Sequence, residues 1–154
     1  MSINVVPPGG GEELDLEVDG LRVHILEDGT HTRRRLGLAL VHLKPGSHGV
    51  PEHVHRKHEE SFFVLSGVVT FGTGDDTLTA MPGTLVTVPI GLPHSFANPD
   101  ADAEASFLFT TTPDLFIGYF HDMADLGPDG ATPQALAEIM AKYATEPYHP
   151  DHPH

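Results

Sequence analysis

The sequence predicts an all-β domain, a small barrel or sandwich, followed by a short helical segment. Two observations carry this expectation. Between residues 14 and 112, short apolar stretches with alternating periodicity are separated by closely spaced Gly, Pro and Asp turn signals. Beyond Thr112 the apolar residues change to a helical period. No stretch is duplicated, and 154 residues fit one domain with a core of its own.

Residues 1–13 read as a flexible N-terminal arm, because Pro7 to Glu13 is rich in Pro and Gly. Its Gly9-Gly10-Gly11 is not a phosphate loop, since no Gly-Lys-Ser/Thr follows. Residues 14–112 form the β domain. Leu14–Val18 and Leu21–Leu26 are strands around an Asp19-Gly20 turn, and Thr32 to Leu43 alternates through Leu36, Leu38 and Leu40. Phe62 to Leu65 and Val68 to Gly72 flank a turn at Gly67. Thr77 to Ala80, Leu85 to Val88, His94 to Asn98 and Ala105 to Thr110 complete the set. Residues 113–145 are a C-terminal helical extension. Asp114 is positioned to cap a helix carrying Leu115, Phe116, Tyr119 and Phe120, and Thr132-Pro133 to start another through Leu136, Ile139, Met140 and Tyr143. Residues 146–154 are a His/Pro-rich tail with too many prolines to continue a helix.

Composition narrows the function classes. The net charge of −14, from 22 acidic and 8 basic residues, repels phosphate backbones and anionic lipid, which argues against nucleic-acid and membrane partners. The absence of cysteine excludes disulfides, thiolate metal sites and cysteine nucleophiles. No basic n-region with an apolar h-region and no membrane-length apolar run is visible, so a cytoplasmic location is the expectation.

The chemistry concentrates in Pro51-Glu-His-Val-His-Arg-Lys-His-Glu-Glu60, which places His53, His55 and Glu60 just before an apolar strand. A His-x-His pair on an extended chain puts both imidazoles on one face, and imidazole with carboxylate suits divalent metals. Glu60 shares parity with Phe62 and Val64, whereas Glu59 points the other way. No His-Glu-x-x-His or Gly-x-Ser-x-Gly pattern offers a protease or esterase instead. His42, His48 and His58 read as packed, rim or supporting residues, and His149, His152 and His154 as exposed tail. Arg33-Arg34-Arg35 reads as a solvated or internally paired basic run, and Arg56 and Lys57 as surface residues.

A second stretch runs Gly83, five residues, Pro89-Ile90-Gly91, two residues, His94, three residues, Asn98. Together with His53-x-His55, four residues, Glu60, six residues, Gly67, it resembles the paired motifs of the cupin superfamily. The likeness covers residues 35 to 112. It departs at position 47, where the family pattern has glycine and this chain has Ser47. The resemblance implies a double-stranded β-helix, or jelly-roll barrel, in which His53, His55, Glu60 and His94 converge on one divalent transition metal per chain. Fe, Mn, Ni or Co would fit, and Zn can bind the same ligands. Phe62, Val64 and Phe96 would line a pocket for a small-molecule substrate, and a homodimer is implied.

The Phe-Phe-Val-Leu-x-Gly strand and the helical tail after Thr-Thr-Pro further resemble the quercetin 2,3-dioxygenase-like group. That likeness implies an oxidoreductase adding O2 to a small hydroxylated aromatic or enediol, with Glu60 both ligand and catalytic proton acceptor. The alternatives are a non-redox metal-dependent isomerase or cyclase, or a small-molecule binding cupin without catalysis. Fold alone does not choose among them.

Overall fold

A computed structural model of the chain describes residues 2–149, so His152 and His154 of the tail lie outside the described residues. Eleven strands and two helices follow in order: β1 (Glu12–Leu16), β2 (Leu21–Glu27), β3 (Gly37–Leu43), β4 (Val50–His55), β5 (Glu59–Ser66), β6 (Val69–Thr73), β7 (Asp76–Ala80), β8 (Leu85–Val88), β9 (His94–Ala97), β10 (Ala105–Thr112), α1 (Gly118–Gly130), α2 (Pro133–Lys142) and β11 (Thr145–Pro147). The strands form two antiparallel sheets, of six strands in the order β1-β2-β3-β10-β5-β8 and of five in the order β11-β4-β9-β6-β7.

The expected jelly-roll barrel is therefore corrected. Each sheet ends at two strands without a further hydrogen-bonded neighbour, β1 and β8 in one and β11 and β7 in the other, so neither closes on itself. The architecture is all-β with two open sheets and C-terminal helices. Closure would need every strand edge to find a ladder partner.

Alternation along the strands builds the core. In β2 and β3 every second residue is buried, which turns Leu21, Val23, Ile25, Ala39, Val41 and Leu43 inward. Phe62 of β5 is at the centre, its ring 5.2 Å from those of Phe71 and Phe107, 5.4 Å from Phe109 and 5.7 Å from Phe96. These tilted and edge-on pairings suit the aromatic quadrupole.

Three local readings change. The strand expected from Thr32 starts only at Gly37, because Arg33 and Arg34 have φ of 51° and 59° and Arg34 N–H donates to Gly29 O at 2.8 Å, making a turn. Within that turn Arg34 approaches the buried Asp114 carboxylate at 3.7 Å, so the basic run is in part internally paired. The first helix breaks at Gly127, which has φ 64° ahead of Pro128. After α2, the chain adds β11 beside β4 where only helix and tail were expected. Proline and the brevity of the strand hid it. By contrast Thr132 caps α2 as expected, its Oγ1 accepting from Ala135 N–H at 3.1 Å ahead of Pro133. Asp114 Oδ1 accepts from Phe116 N–H at 3.3 Å and Ile117 N–H at 3.0 Å, in the turn leading into α1.

The helices pack over one end of the space between the sheets. Phe116, Phe120 and Met123 are buried there, and Leu136 and Ile139 of α2 are partly buried against the same core. Asp122 of α1 ties the two helices together, accepting from Lys142 Nζ at 2.8 Å and Tyr143 O–H at 2.7 Å.

Candidate metal centre and its cavity

His53 and His55 come from β4, His94 from β9 and Glu60 from the opposite sheet. The cluster therefore bridges the two sheets. His53 and His94 are cross-strand partners in the β4–β9 pairing, which brings their ring centroids to 4.3 Å. Gly49, at φ +62°, lets the chain enter β4 against the carbonyl of Phe96, where a side chain would collide with backbone. All four residues are buried, and one donor atom from each lies within 4.8 Å of the others. Glu59 is exposed, so strand parity selects Glu60 as the inward carboxylate.

The outer ring nitrogens decide what the inner ones offer. His53 Nδ1–H donates to Pro51 O at 2.7 Å and His94 Nδ1–H to Leu92 O at 3.1 Å. His55 Nδ1 meets Thr145 Oγ1 at 2.8 Å, and that hydroxyl already donates to Tyr143 O at 3.2 Å, so it accepts from the imidazole. In these tautomers each Nε2 turns a lone pair inward. His53 Nε2 then faces His55 Nε2 at 3.0 Å, and His55 and His94 Nε2 face Glu60 oxygens at 2.8 and 2.9 Å. Acceptors this close repel unless a cation lies among them. The donor set thus fits a single divalent metal ion, without specifying which.

Electrostatics agree in direction. Burial, reinforced by the neighbouring imidazoles, lowers His53 to about 3. Burial also lowers His55. Burial opposes charge on both Glu60 and His94, but His55 first, then His58 and His94, hold Glu60 well below the usual carboxylate range, and the neighbouring Glu60 raises His94. The site is set up with a carboxylate and mostly neutral imidazoles, the forms a metal takes.

His58 is more deeply involved than its sequence position indicated. It is 1% exposed, its Nε2 lies 3.1 Å from Glu60 Oε1, and its ring sits between His55 at 4.2 Å and Phe116 at 4.9 Å. Donation from Nε2–H to Glu60 leaves Nδ1 buried without a partner. It thereby orients the carboxylate from behind.

The cluster opens on a cavity of about 310 Å³. Phe96 lines it as expected, whereas Phe62 and Val64 lie behind it in the core. Much of the remaining wall comes from residues outside the motifs, including Phe116, Tyr119, Met123, Leu136 and Met140 of the helical extension. Their helical period signalled burial but not which space they would face. Among the described residues, Asp19 and Glu52 are the other acidic members of the wall, and none of its members is Lys or Arg.

Residues 39–111 match the family model described as the cupin domain. The segment is thus similar to the cupin domain, and the two sheets with their C-terminal helices form an all-β cupin fold. Among solved structures it is similar to a sugar phosphate isomerase of the cupin superfamily from Silicibacter pomeroyi, at TM-score 0.62 and 23% identity over 71% of this chain and 75% of that one. It is also similar to the polyketide cyclase RemF from Streptomyces resistomycificus, at TM-score 0.61 and 22% identity over 72% and 80% of the two chains. A third likeness is to KdgF from Halomonas sp., at TM-score 0.55 and 19% identity over 66% and 87%. At these identities the likeness is one of fold. No curated protein matches the sequence. No helix among the described residues is long and apolar enough to cross a membrane.

Proposed function

We propose that this cupin is a metal-dependent enzyme carrying out a non-oxidative rearrangement, an isomerisation or cyclisation, of a small, mostly apolar molecule with an enolisable or hydroxyl oxygen. The observation that carries the reading is the His53/His55/Glu60/His94 cluster, three of whose members, His53, His55 and Glu60, stand in the wall of an apolar cavity. When bound there, a divalent ion supplies a Lewis acid that polarises a substrate oxygen. The isomerase and cyclase names of two structural neighbours support this chemistry over dioxygen addition. Neither the dioxygenase reading nor the quercetin 2,3-dioxygenase-like group draws support from the three neighbours described above.

This chain's own residues narrow the substrate class. A phosphorylated sugar needs cations to hold its phosphate, and this cavity instead presents Asp19 and Glu52 amid aromatic and aliphatic walls. The apolar rings of Phe96, Phe107, Phe109 and Phe116 would hold a planar or alicyclic body and exclude water from it. His53, His55 and His94 would be ligands through Nε2. Glu60 fits a ligand better than a general base, because both its oxygens already lie within 3.1 Å of imidazole nitrogens. The chain would work on a small molecule, as a homodimer in the reading its family resemblance suggests.

Metal analysis combined with anaerobic turnover tests the proposal. Protein purified without added metal should hold a divalent ion near one per chain, and H53A, H55A, E60A and H94A should each lose it. Cyclic and open-chain β-dicarbonyl or hydroxyaromatic substrates should exchange a carbon-bound proton with deuterated solvent or rearrange without oxygen. Turnover that stops on removing O2 and consumes it stoichiometrically would overturn the non-oxidative reading.

A further inference from the structure

Asp19 is a polar group in the cavity wall that the metal centre does not use. It lies in the β1–β2 turn and shares the cavity with Leu21, Val41 and Tyr119. Its Oδ2 is buried and has no hydrogen-bond partner. A buried carboxyl oxygen without a donor is costly, and such groups persist chiefly where something else supplies the donor.

The turn that carries Asp19 is fixed in place. Ser47 Oγ donates to Asp19 O at 2.9 Å while accepting from Gly49 N–H at 3.0 Å. Lys44 N–H donates to Gly20 O at 3.0 Å. Gly20 has φ +67°, and a Cβ there would lie 2.6 Å from Ser47 Oγ, so the two loops meet without spare room. Ser47 is the residue that departs from the cupin pattern, and its hydroxyl, with the Lys44 N–H, joins the loops.

We propose that Asp19 is the second polar anchor of the cavity, its carboxyl group accepting a hydrogen bond from a substrate hydroxyl remote from the atom held at the metal centre. The occupant is an apolar molecule bearing such a hydroxyl. An anionic group is disfavoured by Asp19 itself, by Glu52 in the same wall and by a net charge of −14. Burial pushes the Asp19 carboxyl up to about 6, in keeping with a site that lacks a donor of its own. Burial and then the charges of Asp19 and Glu60 raise the Tyr119 hydroxyl, which puts this ring within electrostatic reach of both carboxylates. The inference rests on the cavity being the substrate site, as in the function proposed above, but not on metal chemistry.

The test uses the full chain freed of metal by chelation, so that failure of the metal reading does not touch it. Protein carrying 13C at its aspartate carboxyl carbons is titrated with toluene, benzyl alcohol and benzylamine and followed by NMR. Benzyl alcohol is expected to shift the Asp19 carboxyl resonance and to bind more tightly than toluene, roughly tenfold for one hydrogen bond to a carboxylate. D19L, checked for folding by thermal melting, should bind toluene as well as the parent does and lose the preference for the alcohol. D19N, which keeps the shape and an acceptor oxygen, should retain part of it. Equal affinity for toluene and benzyl alcohol in the parent, a preference that survives in D19L, or no binding of either probe would overturn the proposal. Tighter binding of benzylamine than of the alcohol would overturn the hydroxyl assignment in favour of an ammonium group.

Discussion

His55 and Thr145 stand 90 residues apart in the chain and share a 2.8 Å hydrogen bond that leaves His55 Nε2 facing the site. The bond exists because β11 pairs with β4 and sets Thr145 directly opposite His55. Outer partners of this kind tune a metal ligand's orientation and basicity. T145V should therefore lower metal affinity by about 10- to 100-fold, with the ligands intact. Chelator competition monitored by Co(II) absorption measures this. Unchanged affinity would show that packing alone orients His55.

The inward carboxylate is a matter of strand parity. E60A should abolish stoichiometric metal retention, because it deletes the one residue contributed by the opposite sheet. E59A should leave retention at the parent level, since Glu59 is exposed. Elemental analysis after dialysis reads both, and the reverse pattern would mean the wrong carboxylate has been chosen.

Asp19 gives stability a pH dependence of definite sign. Its carboxyl rises in the fold from 3.8 to about 6, so the folded protein holds this proton more tightly than the unfolded chain. Its favourable contribution is complete below pH 3.8 and is lost as pH rises through about 6. D19N, neutral at every pH, should stabilise the protein by roughly 2 kcal/mol at pH 8, after allowing for partial exposure, and by much less at pH 4.5. Thermal melts of both proteins at the two pH values check this; a constant difference would refute it.

Asn98 closes the motif that runs from Gly83, and its work is structural. Its Nδ2 reaches Leu43 O at 3.3 Å, Lys44 O at 3.2 Å and Ala103 O at 2.8 Å, while Oδ1 accepts from Asp100 N–H at 3.0 Å. N98D should cost more than N98A, because a buried carboxylate would face three carbonyl oxygens. A loss of about 3 kcal/mol or more is expected for N98D at neutral pH, read from urea unfolding. Acidification, which restores a donor, should recover part of it.

Much of this was legible in the sequence because local periodicity and ligand spacing are local facts. His53, His55 and Glu60 lie in one short stretch, and strand parity alone separates Glu60 from Glu59. The alternation of β2 and β3 likewise states which residues face inward. What was not legible depends on long-range placement. Phe62 and Phe96 have equal claims as pocket residues until the sheets are assembled, and only then does Phe62 fall into the core. Barrel closure was inferred from family likeness, yet it is a property of strand edges that no periodicity reports. Asp19 read as a turn residue because Asp-Gly is a turn signal whatever lies beneath it. Thr145 offered no signal, since its partner is fixed by a strand only three residues long.

The distribution of these parts has a bearing on how such a protein diversifies. All four metal-cluster residues fall within the segment 39–111 that matches the cupin domain. Asp19, Phe116, Tyr119, Met123 and Thr145 all fall outside it, before or after. The cluster and part of the cavity wall, including Phe96, Phe107 and Phe109, thus share one stretch of the gene, while the rest of the wall comes from its flanks. A recombination that swaps the flanks would redraw part of the cavity wall while leaving the four cluster residues in place, and a fragment cut to the matching segment would keep those four but lose both the helical part of the wall and the hydroxyl that bonds His55.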